Sequence, residues 1–193
     1  MVKIKEQIND EIMFRKLISG IVTFATMIFS SFQGNDVSFS NLIVSYKSEK
    51  LFMETGLIDA FENDFENIFK SGKEIKIWFD LEVKKSKKQI LNTQFYHSVK
   101  YDPLTTVFEI YFSETRQSIF LDSYDRVKMH LSKIKYSTRI GDVKKNENIN
   151  ISIMARLQKI RLPQIEKKID LMMLWHNKKP SKKQIYKIKS YEA

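Results

Sequence analysis

The segment from Glu74 to Lys84 alternates without a break: Ile75, Ile77, Phe79, Leu81 and Val83 are apolar, with Lys76, Trp78, Asp80 and Glu82 between them. A period of two places each set on its own face of an extended chain, so this stretch predicts a strand with one buried side. Asn148 to Leu157 repeats the pattern with Ile149, Ile151, Ile153, Ala155 and Leu157. Thr93 to Tyr101 alternates as well, after a turn over Lys84–Lys88. Asp102-Pro103-Leu104-Thr105 reads as a turn with proline preset for its second position, and Thr106 to Phe112 then completes an antiparallel hairpin.

Helical periodicity supplies the covering layer. Glu54 to Phe69 carries Leu57, Ile58, Phe61, Phe65, Ile68 and Phe69 as an apolar stripe, closed by Ser71-Gly72. Its other face, with Asp59, Glu62, Asp64 and Glu66, reads as a solvated surface. Asp122 or Ser123 is the expected N-cap of a helix running to about Lys135, with Tyr124, Val127, Leu131 and Ile134 inward. Pro163 suits the first position of a further helix, Gln164 to Trp175, whose apolar positions are Ile165, Ile169, Met172 and Met173. Val37–Lys47 reads as a first strand, Ser118–Leu121 as a short apolar stretch, and Gln184–Tyr191 as strand-like. The expected class is α+β, mostly antiparallel β-sheet with two or three packed helices.

Ahead of this domain lies a run with no ionisable residue, Leu17 to Asn35. As a helix it would be about 28 Å long, against roughly 30 Å of bilayer hydrocarbon. Leu17, Ile18, Ile21, Val22, Phe24, Met27, Ile28, Phe29 and Phe32 are its anchoring residues, and Ser19, Thr23, Thr26 and Ser30 share one helical face. Lys3, Lys5, Arg15 and Lys16 precede it, so the positive-inside rule predicts a cytoplasmic N-terminus and an exported remainder. A cleavable signal peptide has the same layout. Cutting after Ser31 or after Gly34 leaves Phe29 or Phe32 at the −3 position, which favours an uncleaved anchor. The expected organisation is a signal peptide or membrane anchor over residues 1–35, a periplasmic α+β domain over 36–177, and a basic tail over 178–193. Heavy use of Lys, Ile and Asn suits an AT-rich bacterial genome, and the location expected is the bacterial inner membrane.

The net charge of +10 is unevenly placed. Between Arg156 and Lys189 stand eleven basic residues against Glu166 and Asp170, so this segment holds nearly the whole excess. Lys178, Lys179, Lys182, Lys183 and Lys187 are the candidate partner- or lipid-binding residues, with Trp175, Tyr186 and Tyr191 nearby. They suit anionic headgroups or an acidic protein. Phosphates and stacked bases would serve too, which makes a basic nucleic-acid-binding protein the alternative. Export would remove that substrate, so no nucleic acid is expected.

The 193 residues contain no cysteine, which excludes disulfides, thiolate metal sites and a cysteine nucleophile. Five glycines carry no phosphate-binding or dinucleotide motif. The three histidines, His97, His130 and His176, fall on separate elements, and His97 has the inward phase of its strand. Asp80 and Glu82 share a strand face and could form an acid/base pair, but Lys76 beside them suits an ordinary charged surface. No catalytic, cofactor-binding or metal-binding residue and no small-molecule substrate is identifiable from these patterns.

The order of elements, with "AFENDFENIFKSGKEIKIWFDLEV", "FYHSVKYDPLTTVFEIYF", "LDSYDRVKMHLSKI" and "ISIMARLQKIRLPQ", resembles the domain-of-unknown-function 4390 family of bacterial envelope proteins. The likeness runs from Leu42 to about Trp175, and the Lys-rich tail departs from it. The resemblance implies a signal-anchored envelope domain and no catalytic residues. The expected function is a non-enzymatic, membrane-anchored binding or scaffolding protein with an envelope protein as partner.

Overall fold

A computed structural model describes residues 34–63, 65–141, 143–144, 146–162 and 167–188. The expected anchor residues, Leu17 to Phe32, lie outside these. Among the described residues, no helix is long and apolar enough to cross a membrane.

The alternating segments pair as their patterns require. β4 (Ile75–Lys85), β5 (Lys88–Asp102), β6 (Val107–Phe112), β7 (Gln117–Leu121), β9 (Asn148–Leu157) and β12 (Ser181–Lys187) form a six-stranded sheet in the order β12-β9-β4-β5-β6-β7. Every pairing is antiparallel. In β4 the odd-numbered residues Ile75 to Val83 are all fully buried. The same face continues through Phe95 and Val99 of β5, Phe108 and Ile110 of β6, and Ile149 to Leu157 of β9. The turn after β5 is held by Asp102, whose carboxylate accepts from the Leu104 N–H at 2.9 Å and the Thr105 hydroxyl at 2.8 Å. These bonds hold the Asp102 carboxyl below its ordinary range.

The chain before β4 folds differently from the helical expectation. β1 (Ser38–Phe39), β2 (Ile43–Lys47), β3 (Lys50–Ile58) and β8 (Lys133–Arg139) form a second, smaller sheet around β3. Glu54 to Ile58, expected as the first turns of a helix, belong to β3, and only Phe65–Phe69 is helical (α1). Leu51, Met53, Thr55 and Leu57 are buried while Lys50, Phe52 and Ile58 are exposed, which is strand periodicity. The apolar residues of 57–69 satisfy both periods over their first few positions, and pairing of Leu57 and Ile58 with β1, continuing the pairing of β3 with β2 and β8, decides between them. The expected first strand is likewise divided at Ser40–Leu42. There Ser40 donates its N–H to Gly56 O at 2.8 Å and accepts the Gly56 N–H on Oγ at 2.9 Å. A Cβ at Gly56 would lie 3.2 Å from the Ser132 carbonyl oxygen, so this crossing is built around glycine.

Two further expectations are corrected. The helix that starts after Ser123 (α2, Tyr124–Ser132) stops short of Lys135, and the chain continues directly as β8. Ile134, Tyr136, Thr138 and Ile140 alternate inward there, and seven successive pairs to β3 outweigh one more helical turn. In place of the helix expected to end at Trp175, β10 (Lys159–Leu162) pairs with β11 (Lys167–Asp170), and Leu171–Trp175 is one 3-10 turn. Residues 163–166 lie outside the described set. Four of the five residues in the 3-10 turn are buried, more than one face of a surface helix can place inward. The segment expected as a basic tail supplies β12, so residues 181–187 are part of the domain. The class is α+β, with antiparallel sheet dominant and two short helices among the described residues.

The core lies between the two sheets. Tyr136 of β8 stacks on Phe95 of β5 at 4.8 Å, and Phe61, Phe65, Phe69, Tyr124 and Trp175 close one end as an aromatic cluster. Trp175 is fully buried, and its indole N–H donates to Ala60 O at 2.8 Å. Trp175→Ala is expected to remove about 3–5 kcal/mol of stability. Trp175→Phe should cost about 1–3 kcal/mol, because the Ala60 carbonyl loses its donor. Urea unfolding of the two variants checks the order; equal losses would mean that the hydrogen bond contributes nothing.

Candidate functional site

The lysines singled out by charge are not gathered into one patch. Lys178 and Lys179 lie in the loop after the 3-10 turn, where Lys178 Nζ is 3.2 Å from the Asp36 carboxylate. Lys182 and Lys183 are consecutive on β12, so they point to opposite faces of the sheet. Lys182 sits across from buried Ile153, and Lys183 and Lys187 sit across from Ser152 and Asn148 on the outer face. Strand geometry divides what sequence proximity had grouped.

The Lys178 loop meets the start of the described chain. Asn35 is buried, donates its backbone N–H to Leu174 O at 2.8 Å, and accepts from Asn63 Nδ2 at 2.9 Å. Gly34 rests against the His176 ring, where a Cβ would meet Nδ1 at 2.9 Å. The last residues of the uncharged run are therefore fastened to the 3-10 turn, and Lys178 stands beside that junction.

The outer face of the large sheet carries a ladder of half-buried aromatics. Trp78 and Tyr96 have ring centroids 4.8 Å apart, and Tyr96 and Tyr111 5.9 Å. Lys76 lies over Tyr96 and the Arg156 guanidinium over Trp78, at 4.8 and 5.3 Å. Asp80 accepts from Gln94 and is 3.4 Å from Arg156, while Glu82 is 2.7 Å from Lys84. Each carboxylate thus has its own cationic neighbour on an open face. This is the charged surface expected from Lys76 rather than a pair sharing a proton.

His97 is fully buried, the core position expected from its strand phase. Nδ1 lies 3.2 Å from the Leu131 carbonyl oxygen and so donates to it; Nε2 lies 2.9 Å from Glu114 Oε1. Oxygen atoms thus face both ring nitrogens, one from the backbone of α2 and one from the Glu114 side chain. The pair joins the β6–β7 turn to the end of α2. Tyr124 donates its hydroxyl to Phe61 O, and burial pushes its phenol well above its ordinary value.

Sequence reasoning missed one surface. In β3 the residues between the buried ones, Lys50, Phe52, Glu54, Gly56 and Ile58, face outward. Lys47, Ser45 and Ile43 of β2 lie across from the first three of them on one side, and Arg139, Ser137, Lys135 and Lys133 of β8 flank the other. A groove of about 380 Å³ opens at one end, between Ser40–Ile43 and α2. The signal that could have found this face was the alternation of Leu51, Met53 and Thr55, hidden by the overlapping helical stripe.

No protein-family model matches the chain, and no curated protein is significantly similar to it.

Glu114→Ala is expected to destabilise the fold by about 1–3 kcal/mol, as loss of one partner of a buried hydrogen bond does. Glu114→Gln should cost less, because its side-chain amide keeps a hydrogen-bonding group against His97 Nε2. Chemical denaturation at neutral pH compares them; equal losses would show that the bond to His97 does not hold the turn.

Proposed function

We propose that the chain is a non-enzymatic binding or scaffolding module of the bacterial envelope, held to the inner membrane by a helix that begins near Leu17 and ends before Gly34, where the folded domain starts. Its N-terminus lies in the cytoplasm, and its domain, in the periplasm, meets another envelope protein. The observation that carries this reading is the junction at Asn35. An uncharged run of membrane-spanning length leads into a buried residue bonded to the 3-10 turn, with no linker between. A span ending there would set the domain firmly against the bilayer surface. Lys178 and Lys179 would then lie at headgroup level, where each basic side chain contributes about 1 kcal/mol toward anionic lipid.

The assignment to binding rather than catalysis is supported by the engaged state of the polar side chains. Asp80 and Glu82 are held by neighbouring cations on an open face, and His97 is enclosed in the core. The separation of Lys182 from Lys183 and Lys187 across β12 weighs against a nucleic-acid tract along residues 178–187, since a phosphate backbone needs its lysines on one side.

A C-terminal reporter that is active only outside the cytoplasm tests the topology, and reversible crosslinking in intact cells tests the role. The expected outcomes are an external reporter, the full-length chain in the membrane fraction, and a crosslinked envelope protein. A freely dissolved cytosolic chain would overturn the location. A correctly placed chain with no crosslinked protein would overturn the binding role.

A further inference from the structure

The outer face of the small sheet combines three properties. It is basic: Lys47, Lys50, Lys133, Lys135 and Arg139 share it with Glu54 as its one acidic residue. Glu54 lies between Lys133 and Lys135, at 3.8 and 3.6 Å, so two cations face one carboxylate at the groove end, while Lys47, Lys50 and Arg139 cluster at the far end of the sheet. It is also apolar in its middle. Ile43 is 66% exposed, Met129 60%, Ile58 43% and Phe52 41%, four of the seven large apolar side chains most open to solvent. And a shallow, open groove lies at one end of it, lined by Gly56 of β3, Ile43 of β2 and Met129 of α2.

From this we infer that the groove at Gly56 is the docking site of the binding module, and that it takes an acidic polypeptide segment presenting one apolar side chain. The proposal rests on the reading of the chain as a binding module and names the chemistry of its partner. The charge excess calls for an anionic occupant long enough to run from the groove toward Lys47, Lys50 and Arg139, because screening confines each cation's attraction to roughly a Debye length of about 8 Å at physiological salt. Concavity selects among anionic occupants. A locally flat bilayer surface cannot enter a groove between a strand and a helix, whereas a single Leu or Phe side chain can. A nucleic-acid strand stacks its bases on successive aromatic rings, and this face offers Phe52 alone. Gly56 fixes the shape, since a side chain there would fill the floor and press on Ser132 O.

The test uses the full-length chain in mild detergent and a fluorescent twelve-residue peptide of Asp and Glu with one central Leu. Fluorescence anisotropy should show binding that weakens steeply with salt and falls at least tenfold when Ser replaces the Leu. K133E with K135E, and separately Met129→Ser, should each weaken binding tenfold or more. K182E with K183E should leave it within twofold. The proposal is overturned by equal binding of the Ser peptide, or by an equal loss on changing Lys182 and Lys183. Displacement of the peptide by a tighter-binding single-stranded DNA of equal length would overturn it too, as would phosphatidylglycerol vesicles competing through Lys133 and Lys135. If crosslinking in cells still captures an envelope protein with K133E and K135E in place, this site falls while the envelope-binding reading stands.

Discussion

The structure depends on β4 being buried on one face along almost its whole length. Ile75, Ile77, Phe79, Leu81 and Val83 are closed off from water, and β4 is paired on both edges, with β5 and with β9. Burying five such side chains contributes on the order of 10 kcal/mol before chain entropy is set against it. A one-residue slip against either neighbour would turn all five outward and bring Lys76, Asp80 and Glu82 into the core, so the register is strongly specified. From β4 the constraint passes outward. β9 carries β12, and β5 carries β6 and β7, so every later strand of the sheet inherits its phase.

The covering layer is fixed by a different kind of contact. No long helix lies over the inner face among the described residues; the small sheet, two short helices and a 3-10 turn share that task. Short elements bury little surface each, and here large aromatic side chains make up the deficit. Phe61, Phe65 and Phe69 meet one another, Phe61 reaches Trp175, and Phe69 reaches Tyr124. Trp175 and Tyr124 then bond Ala60 O and Phe61 O, which ties this irregular stretch of backbone to elements far away in sequence.

What was legible in the sequence follows from this division. β4, β9 and the β5–β6 hairpin alternate cleanly over one buried face, and Asp102-Pro103 is a turn with recognisable chemistry, so their positions could be read directly. The β2–β3 hairpin could not. Its turn residues, Ser48 and Glu49, both adopt left-handed conformations, with φ of 49° and 62°, where Asn-Gly would have announced the turn. Lacking that signal, the residues after Glu54 followed the helical stripe of Leu57, Ile58, Phe61 and Phe65. β8 was hidden similarly, because Leu131 and Ile134 extend the stripe of α2 although Ile134 already belongs to a strand. The basic tail was legible as charge but not as geometry, since only pairing with β9 shows that Lys182 and Lys183 part company.

The same misreading concealed the candidate docking face, and the reason is physical. Basic residues contributed by β2, β3 and β8 come from positions 47 to 139, and no window of the sequence shows them as a cluster. They meet only because β3 is extended and is paired along both edges. Had 54–58 been helical, Phe52 and Ile58 would have no common face with Lys135, and no groove would form at Gly56. Charge concentrated along the chain and charge concentrated in space are thus separate quantities. Antiparallel pairing disperses the first on β12 and assembles the second on the small sheet. The exposed apolar residues sharpen the contrast. Lysines on β12 flank only Ile185 as an open apolar side chain, whereas those of the small sheet surround Ile43, Phe52, Ile58 and Met129. Uncompensated charge alone attracts any anion, but an apolar recess within it discriminates among them, because desolvating an acidic segment is offset only where an apolar side chain is buried at the same time.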